Sequence, residues 1–205
     1  MTIMTLSREQ AHEKYGEAFV RFLMKGKQEI QIGPKQRILL EKWKLIRKKQ
    51  FAPYAYEYVY IVADETSGAF KIGMTRAPRS RLSALRNGST NDLRIVGLIV
   101  VGGQDGRNLE RFILNEYKRK GRHVRGEWFS GDAIKELPII RDLALTYYGS
   151  SVVSLSDAYE GCEPLVDLYV AANGNSPAAI DVIKCRADFL WVVERADKNH
   201  LTVLS

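Results

Sequence analysis

The chain reads as an α/β (α+β) protein, and three observations place it in that class. Residues 58–62 and 70–73 are rich in β-branched and aromatic side chains and are separated by Asp64-Glu65-Thr66-Ser67-Gly68, which is turn chemistry. Residues 93–101, crowded with Ile and Val and bounded by Asn91-Asp92 and Gly102-Gly103, form a third run of strand character. Around these runs, apolar residues recur at helical spacing.

Taken in order, Ser7 and Gln10 stand at the two positions of a capping box. They open a helical pattern reaching about residue 25, with Tyr15, Phe19, Phe22 and Leu23 on one face. Gly26 and Gly33-Pro34 interrupt it. Pro34 suits a first helical turn. The helix it begins would turn Ile38, Leu39, Trp43 and Ile46 inward and Lys35, Arg37, Lys42, Lys44, Arg47, Lys48 and Lys49 mostly outward. That basic face fits an arm gripping DNA and fits equally a buttress kept soluble by its lysines. The first two strand runs make a hairpin that brings Tyr60 and Lys71 near one another. Ala77-Pro78 starts a helix with Leu82 and Leu85 facing in and Arg79, Arg81 and Arg86 reaching out. After the third strand, residues 108–117 read as a helix striped by Leu109, Phe112, Ile113 and Tyr117, and residues 131–148 as another.

Beyond Gly149 the pattern loosens. Residues 164–172 have the character of a short helix, 173–177 of a loop, and 189–194 with 201–204 of a hairpin joined through 197–200. The chain therefore divides into a basic helical arm (1–50), a central domain (51–149) and an acidic C-terminal segment (150–205).

Charge follows this division. Of the 205 residues, 1–50 carry 12 basic and 5 acidic side chains, 51–149 carry 15 and 11, and 150–205 carry 4 and 8, for a formal net charge of +7. A basic leading part gains phosphate contacts through counterion release, and an acidic tail does not. With 45% hydrophobic residues the chain holds enough apolar surface for a good core. Its apolar runs are strand-sized, which argues against a membrane span, and the amino terminus lacks signal-peptide character. A soluble protein inside the cell, cytoplasmic or associated with the nucleoid, is the expectation. Cys162 and Cys185 are too few for a disulfide framework and lack metal-ligand spacing.

Four short motifs in order carry the chemical argument: Tyr58-Val59-Tyr60, Lys71-Ile72-Gly73, Arg81-Leu82 eight residues beyond Gly73, and Leu109-Glu110, with Gly126-Glu127-Trp128-Phe129 following. Over roughly residues 56–130 the chain resembles the GIY-YIG nuclease superfamily, and more closely its phage and bacterial branch with a KIG second motif and a GEWF-like block. The resemblance implies a small antiparallel three-stranded sheet flanked by helices, and a metal-dependent endonuclease acting on DNA. It assigns Tyr60, Lys71, Arg81 and Glu110 to catalysis, with Glu110 holding Mg2+ or Mn2+.

The residue types suit that assignment. Phosphodiester hydrolysis needs an oriented water, positive charge on the phosphorane-like oxygens and help for the leaving oxygen. Tyr60 is the candidate for activating water. A phenol of pKa about 10 is a poor base at neutral pH, so it would need a neighbouring cation such as Lys71, or a metal-bound water. Lys71 stands where the superfamily usually has a second tyrosine, and an ammonium cannot accept a proton. Arg81 offers a fork of donors for nonbridging oxygens. Glu110 is a hard ligand of the kind magnesium accepts singly.

Glu127 is a candidate to orient His123 or Arg125, while Arg122, His123 or the GEWF block stands in for an asparagine that many superfamily members carry. Lys44, Arg47, Lys48, Arg79, Arg86, His123 and Arg125 are candidate DNA contacts. Two further classes stay open: a DNA-binding module of this fold that cuts little or nothing, and an interaction protein whose residues 150–205 bind a partner or mediate self-association.

Overall fold

A computed structural model describes residues 4–17, 20–47 and 51–205, apart from the side chains of Phe22, Leu23, Lys35 and Arg47. The chain forms two compact units, Met1–Tyr54 with Tyr159–Lys184, and Ala55–Ala158 with Cys185–Ser205. Residues 150–205, expected as one segment, are thus shared between the units.

In the first unit, β1 (Met4–Ser7) pairs antiparallel with β2 (Glu29–Ile32). The capping box is present: the Ser7 hydroxyl oxygen accepts the Gln10 N–H at 3.2 Å, and Gln10 Oε1 accepts the Ser7 N–H at 3.0 Å. The helix it opens, α1 (Arg8–Tyr15), is shorter than expected. Gly16 takes φ 83°, which stops the helix, and a π-helical turn at Val20–Met24 follows. Phe19 and the Phe22 and Leu23 side chains lie outside the described residues. In α2 (Pro34–Arg47) Leu40, Trp43 and Ile46 are buried, and Trp43 Nε1 donates to the Tyr15 carbonyl at 3.0 Å. Ile38, expected inward, is 59% exposed; the i, i+3, i+6 stripe runs through Leu40 instead. The Lys42 ammonium donates to the Gly161 carbonyl at 2.6 Å, so this lysine ties α2 to α6 (Leu155–Cys162). A 3-10 turn at Glu163–Leu165 leads into α7 (Val166–Asn173), and α8 (Pro177–Asp197) follows.

The second unit is built on β3 (Glu57–Asp64), β4 (Ala69–Thr75), α3 (Pro78–Asn87), β5 (Leu93–Val101), α4 (Gly106–Arg119), β6 (His123–Arg125), β7 (Trp128–Ser130), α5 (Ala133–Tyr148) and β8 (Thr202–Val203). The expected strand, strand, helix, strand, helix succession is present. The sheet, however, has six strands in the order β6-β7-β4-β3-β5-β8, not three. The additional strands are two or three residues long, too short to show an alternation in sequence. Nor do residues 189–204 form a hairpin. Phe189–Glu194 falls within α8, where Phe189 and Val192 are buried one helical turn apart, and β8 lies parallel to β5.

Period-two alternation sorts the central strands onto two faces. Val59, Ile61, Phe70 and Ile72 meet Leu109, Ile113 and Tyr117 of α4 and Leu137 and Ile140 of α5. Tyr58, Tyr60 and Val62 on the other face meet Leu82 of α3 and Val192 of α8. Both faces being covered, β3 is apolar almost throughout, as buried strands are. The β3–β4 turn is fixed by Asp64, whose carboxylate accepts the Thr66 and Ser67 N–H groups, the Ser67 hydroxyl and the Asn91 amide. Burial alone would raise the Asp64 pKa, but these donors outweigh it and hold the carboxyl below its ordinary value.

Candidate active site

The site forms where β4 loses its neighbour. β7 pairs with Ala69, Phe70 and Lys71 and stops. Past that point the outer edge of β4 is open, and its amide groups meet other partners. The Ile72 N–H donates to the Glu127 carbonyl at 3.3 Å, and the Met74 N–H donates to the Glu110 carboxylate. An open strand edge thus receives a helix-borne acid and the turn between β6 and β7.

Tyr60 pairs with Gly73 across the β3–β4 ladder, and Lys71, two residues earlier on β4, shares its face. The hydroxyl end of the Tyr60 ring lies over Gly73: a Cβ at residue 73 would sit 2.3 Å from the phenol oxygen and 2.4 Å from Cζ. The glycine of the second motif is therefore required by the tyrosine of the first. Tyr60 exposes no surface. Its oxygen accepts a hydrogen bond from Arg81 Nε at 2.9 Å, and the guanidinium carbon stands 5.8 Å from the ring centroid. Arg81 reaches this position from the first turn of α3, where Pro78 fixes the helix start and Leu82 anchors it.

Lys71 is also buried, at 8% exposure, and its ammonium pairs with Glu127 Oε2. This corrects two expectations. Glu127 engages Lys71 rather than His123 or Arg125, and the cation beside the Tyr60 hydroxyl is Arg81, not Lys71. The phenol pKa is raised, not lowered, because burial dominates; Arg81 opposes it, while the Glu127 and Glu110 charges add to it. Arg81 in turn has its pKa raised, first by its hydrogen bond to Tyr60.

Glu110 sits on the second turn of α4. Its pKa is raised by burial and then by the neighbouring Glu127 charge, opposed by the Met74 N–H, Lys71 and Arg107. Tyr60, Lys71, Arg81 and Glu110, chosen from sequence, thus fall in one electrostatic cluster, to which the structure adds Glu127. No group of three His, Cys, Asp or Glu poised for a metal occurs among the described residues. The donor chemistry nevertheless fits a hard divalent cation. Such an ion accepts one or two carboxylates and keeps water and phosphate elsewhere, and Glu110 is a half-buried carboxylate facing a second negative charge.

Two buried acids hold the cluster's supports. Glu57, at the start of β3 and 4% exposed, accepts the Gly106 N–H at 2.9 Å and pairs with Arg76 Nη2 at 2.8 Å. It thereby satisfies the first turn of α4, where the Asp105 side chain makes no cap bond. Gly106 admits this approach, since a Cβ there would lie 2.6 Å from Glu57 Cβ. On the same face of the sheet, Glu136 of α5 accepts the Tyr117 hydroxyl at 2.7 Å and pairs with Arg122. Burial and this carboxylate push the Tyr117 phenol far up. Arg122 also accepts the Ser130 N–H at its carbonyl, at 2.9 Å, which fixes the β6–β7 hairpin bearing Glu127.

Neither support was read from sequence. Glu57 opening an apolar strand and Gly106 opening a helix were the available signals.

The candidate DNA contacts are less concentrated. Arg79, Arg86, His123 and Arg125 are exposed; Arg86 Nε donates to the Leu93 carbonyl at 2.9 Å, and His123 Nε2 hydrogen-bonds the Gly126 carbonyl oxygen at 2.9 Å. Lys44 is exposed and paired with Glu41 at 2.7 Å. The Arg47 side chain, Lys48 and Lys49 lie outside the described residues. No helix among those residues is long and apolar enough to cross a membrane.

Residues 57–143, the part of the chain that contains this cluster, match the family model described as the T5orf172 domain. No curated protein and no solved structure matches the chain at a significant level.

Proposed function

We propose that residues 57–143 constitute a metal-dependent, GIY-YIG-like endonuclease that hydrolyses phosphodiester bonds of DNA. The observation that carries this reading is the convergence of Tyr60, Arg81, Lys71 and Glu110 beside the point where β4 loses its outer neighbour, from four separate elements. Glu110 would hold Mg2+ or Mn2+, which when bound supplies charge to a phosphate oxygen and acidifies a water.

The remaining work falls to the chain's own side chains. Arg81 uses Nε on Tyr60, and its terminal nitrogens offer a bidentate surface for nonbridging oxygens. A phosphate held by Arg81 would lie beside the phenol, because the same guanidinium donates to the Tyr60 oxygen. Lys71, steadied by Glu127, adds a fixed positive charge against the phosphorane-like oxygens. With its pKa raised, Tyr60 acts at neutral pH as a protonated phenol that orients water by hydrogen bonding. The phenolate that can take a proton from that water grows with pH.

The deciding experiment incubates the full chain with supercoiled, linear and branched DNA, with and without magnesium or manganese. Cleavage that needs the metal and is lost in Glu110→Gln supports the reading. A chain that binds DNA yet leaves every substrate intact supports the alternative of a non-cutting binding module. That alternative is favoured by one observation, the Lys71–Glu127 pair occupying the place of a second tyrosine.

A further inference from the structure

A groove of about 540 Å3 opens beside the cluster, with Lys71 and Arg81 in its wall and Trp128, Leu85, Val124 and Arg125 among its other lining residues. Its size falls in the range of about 300–1,000 Å3 that encloses a small ligand. Trp128 is the cross-strand partner of Lys71 between β4 and β7, so its indole stands on the same face of the sheet as Lys71 and Tyr60. The indole is half-buried against the apolar cluster behind Tyr60, leaving part of its surface to the groove. Val124, 59% exposed, and Leu85 supply further apolar lining, while Lys71, Arg81 and Arg125 supply positive charge.

An aromatic face among cations is how proteins hold unstacked bases: the ring stacks the base and the cations take the flanking phosphates. The acid in the lining does not oppose this, because the Asp64 carboxylate is engaged by Ser67, Asn91 and two backbone N–H groups. We propose that this groove takes one unstacked nucleobase of DNA, next to the phosphate held by Arg81, with Trp128 as its stacking platform. The inference rests on the nuclease reading and adds a substrate class to it. A base inside a regular duplex must be extruded at an energetic cost, which is least in single-stranded, mismatched or branched DNA, so these are the preferred substrates.

The test compares Trp128→Phe, which keeps an aromatic face, with Trp128→Leu, which keeps apolar packing but has no π-face. Both are placed in the full chain carrying Glu110→Gln, and thermal melting selects the temperature at which each is folded. Binding is measured in calcium to a short single strand containing 2-aminopurine and to the same sequence as duplex. Loss of a base–aromatic stack weakens binding about 5- to 140-fold. The expected result is that loss for Trp128→Leu on the single strand, retention within about threefold for Trp128→Phe, and 2-aminopurine quenching that survives in Phe and disappears in Leu. Equal affinities for the two variants, or equal losses on single strand and duplex, overturn the groove assignment. If the chain with native Glu110 cleaves DNA while the two variants bind alike, only this inference fails; if it neither binds nor cleaves any DNA, the nuclease reading fails with it.

Discussion

Replacing Gly73 by alanine tests whether the second motif's glycine exists to seat the first motif's tyrosine. The added Cβ would lie 2.3 Å from the Tyr60 oxygen and 2.4 Å from Cζ, whereas ordinary contact begins near 3.4 Å. The phenol must therefore retreat by about 1.1 Å or the strands must part. Parting is resisted, since β3 is hydrogen-bonded on both sides, to β4 and β5. Overpacking of this kind costs about 1–3 kcal/mol, and the displaced oxygen also gives up its hydrogen bond from Arg81. A misplacement of about 1 Å is enough to lower turnover about 100-fold. Denaturant unfolding and metal-dependent DNA cleavage measure the two effects. A double-mutant cycle isolates the cause: in a Tyr60→Ala background the ring is gone, so Gly73→Ala should destabilise by close to nothing. An unchanged penalty in that background would falsify the steric account and leave Gly73 as a strand glycine with some other role.

Glu57→Gln removes the charge that joins Arg76 to the first turn of α4. It should destabilise by about 1–3 kcal/mol, seen as a fall of about 2–4 °C in melting temperature per kcal/mol, with a rise in the magnesium concentration needed for cleavage. An unchanged metal requirement would confine Glu57 to folding. Glu110→Gln should abolish cleavage while DNA binding in calcium stays within about twofold. Arg81→Ala should lower turnover more than affinity, and equal losses would make it a docking residue. The pH dependence has two limbs of known sign. Glu110 has its pKa raised above the ordinary glutamate value in the folded chain, so its contribution to stability is complete below the ordinary value and is lost as pH rises through the raised one. Cleavage, which needs the carboxylate, should fail at a higher pH than an ordinary glutamate allows. Glu127→Gln removes the second-largest cause of the shift and should move that acid limit downward; an unmoved limit would assign the shift to burial alone.

The sequence made the central elements legible where each carries a strong local signal. The turn at Asp64, the Ile- and Val-rich β5 and the stripe of Leu109, Ile113 and Tyr117 each declare one element without outside help. Four of the cluster's side chains were legible for a different reason, because their motifs resemble a nuclease superfamily. Two kinds of feature stayed hidden. Strands as short as β6, β7 and β8 have no period to detect and exist only because a neighbour offers a ladder. Partnerships between distant ions depend on approach angles that spacing does not encode, as with Lys71 and Glu127, 56 residues apart, or Glu57 and Gly106, 49 apart. Residues 189–194 show the opposite failure, a run of β-prone side chains overridden by helical packing through Phe189 and Val192.

On the nuclease reading, the pairing of Lys71 with Glu127 bears on how labour divides between the two motifs. Had Lys71 faced the phenol, it would have lowered the Tyr60 pKa and made a phenolate available near neutrality. Lys71 instead pairs with Glu127, and it is Arg81 that opposes the burial that raises Tyr60. A site of this kind should be slow at neutral pH and accelerate with alkalinity as the phenolate fraction rises, close to tenfold per pH unit while Tyr60 remains mostly protonated. Initial cleavage rates at saturating metal, measured between about pH 7 and 9, give the slope. Tyr60→Phe should be slower throughout and flat over the same range. A flat wild-type profile, or a Phe variant that keeps the slope, would show that the proton of the attacking water does not pass to Tyr60. Stability sets the upper bound on the experiment: a raised phenol favours the folded chain below about pH 10 and loses that advantage as pH rises further. The rate must therefore be read below that point.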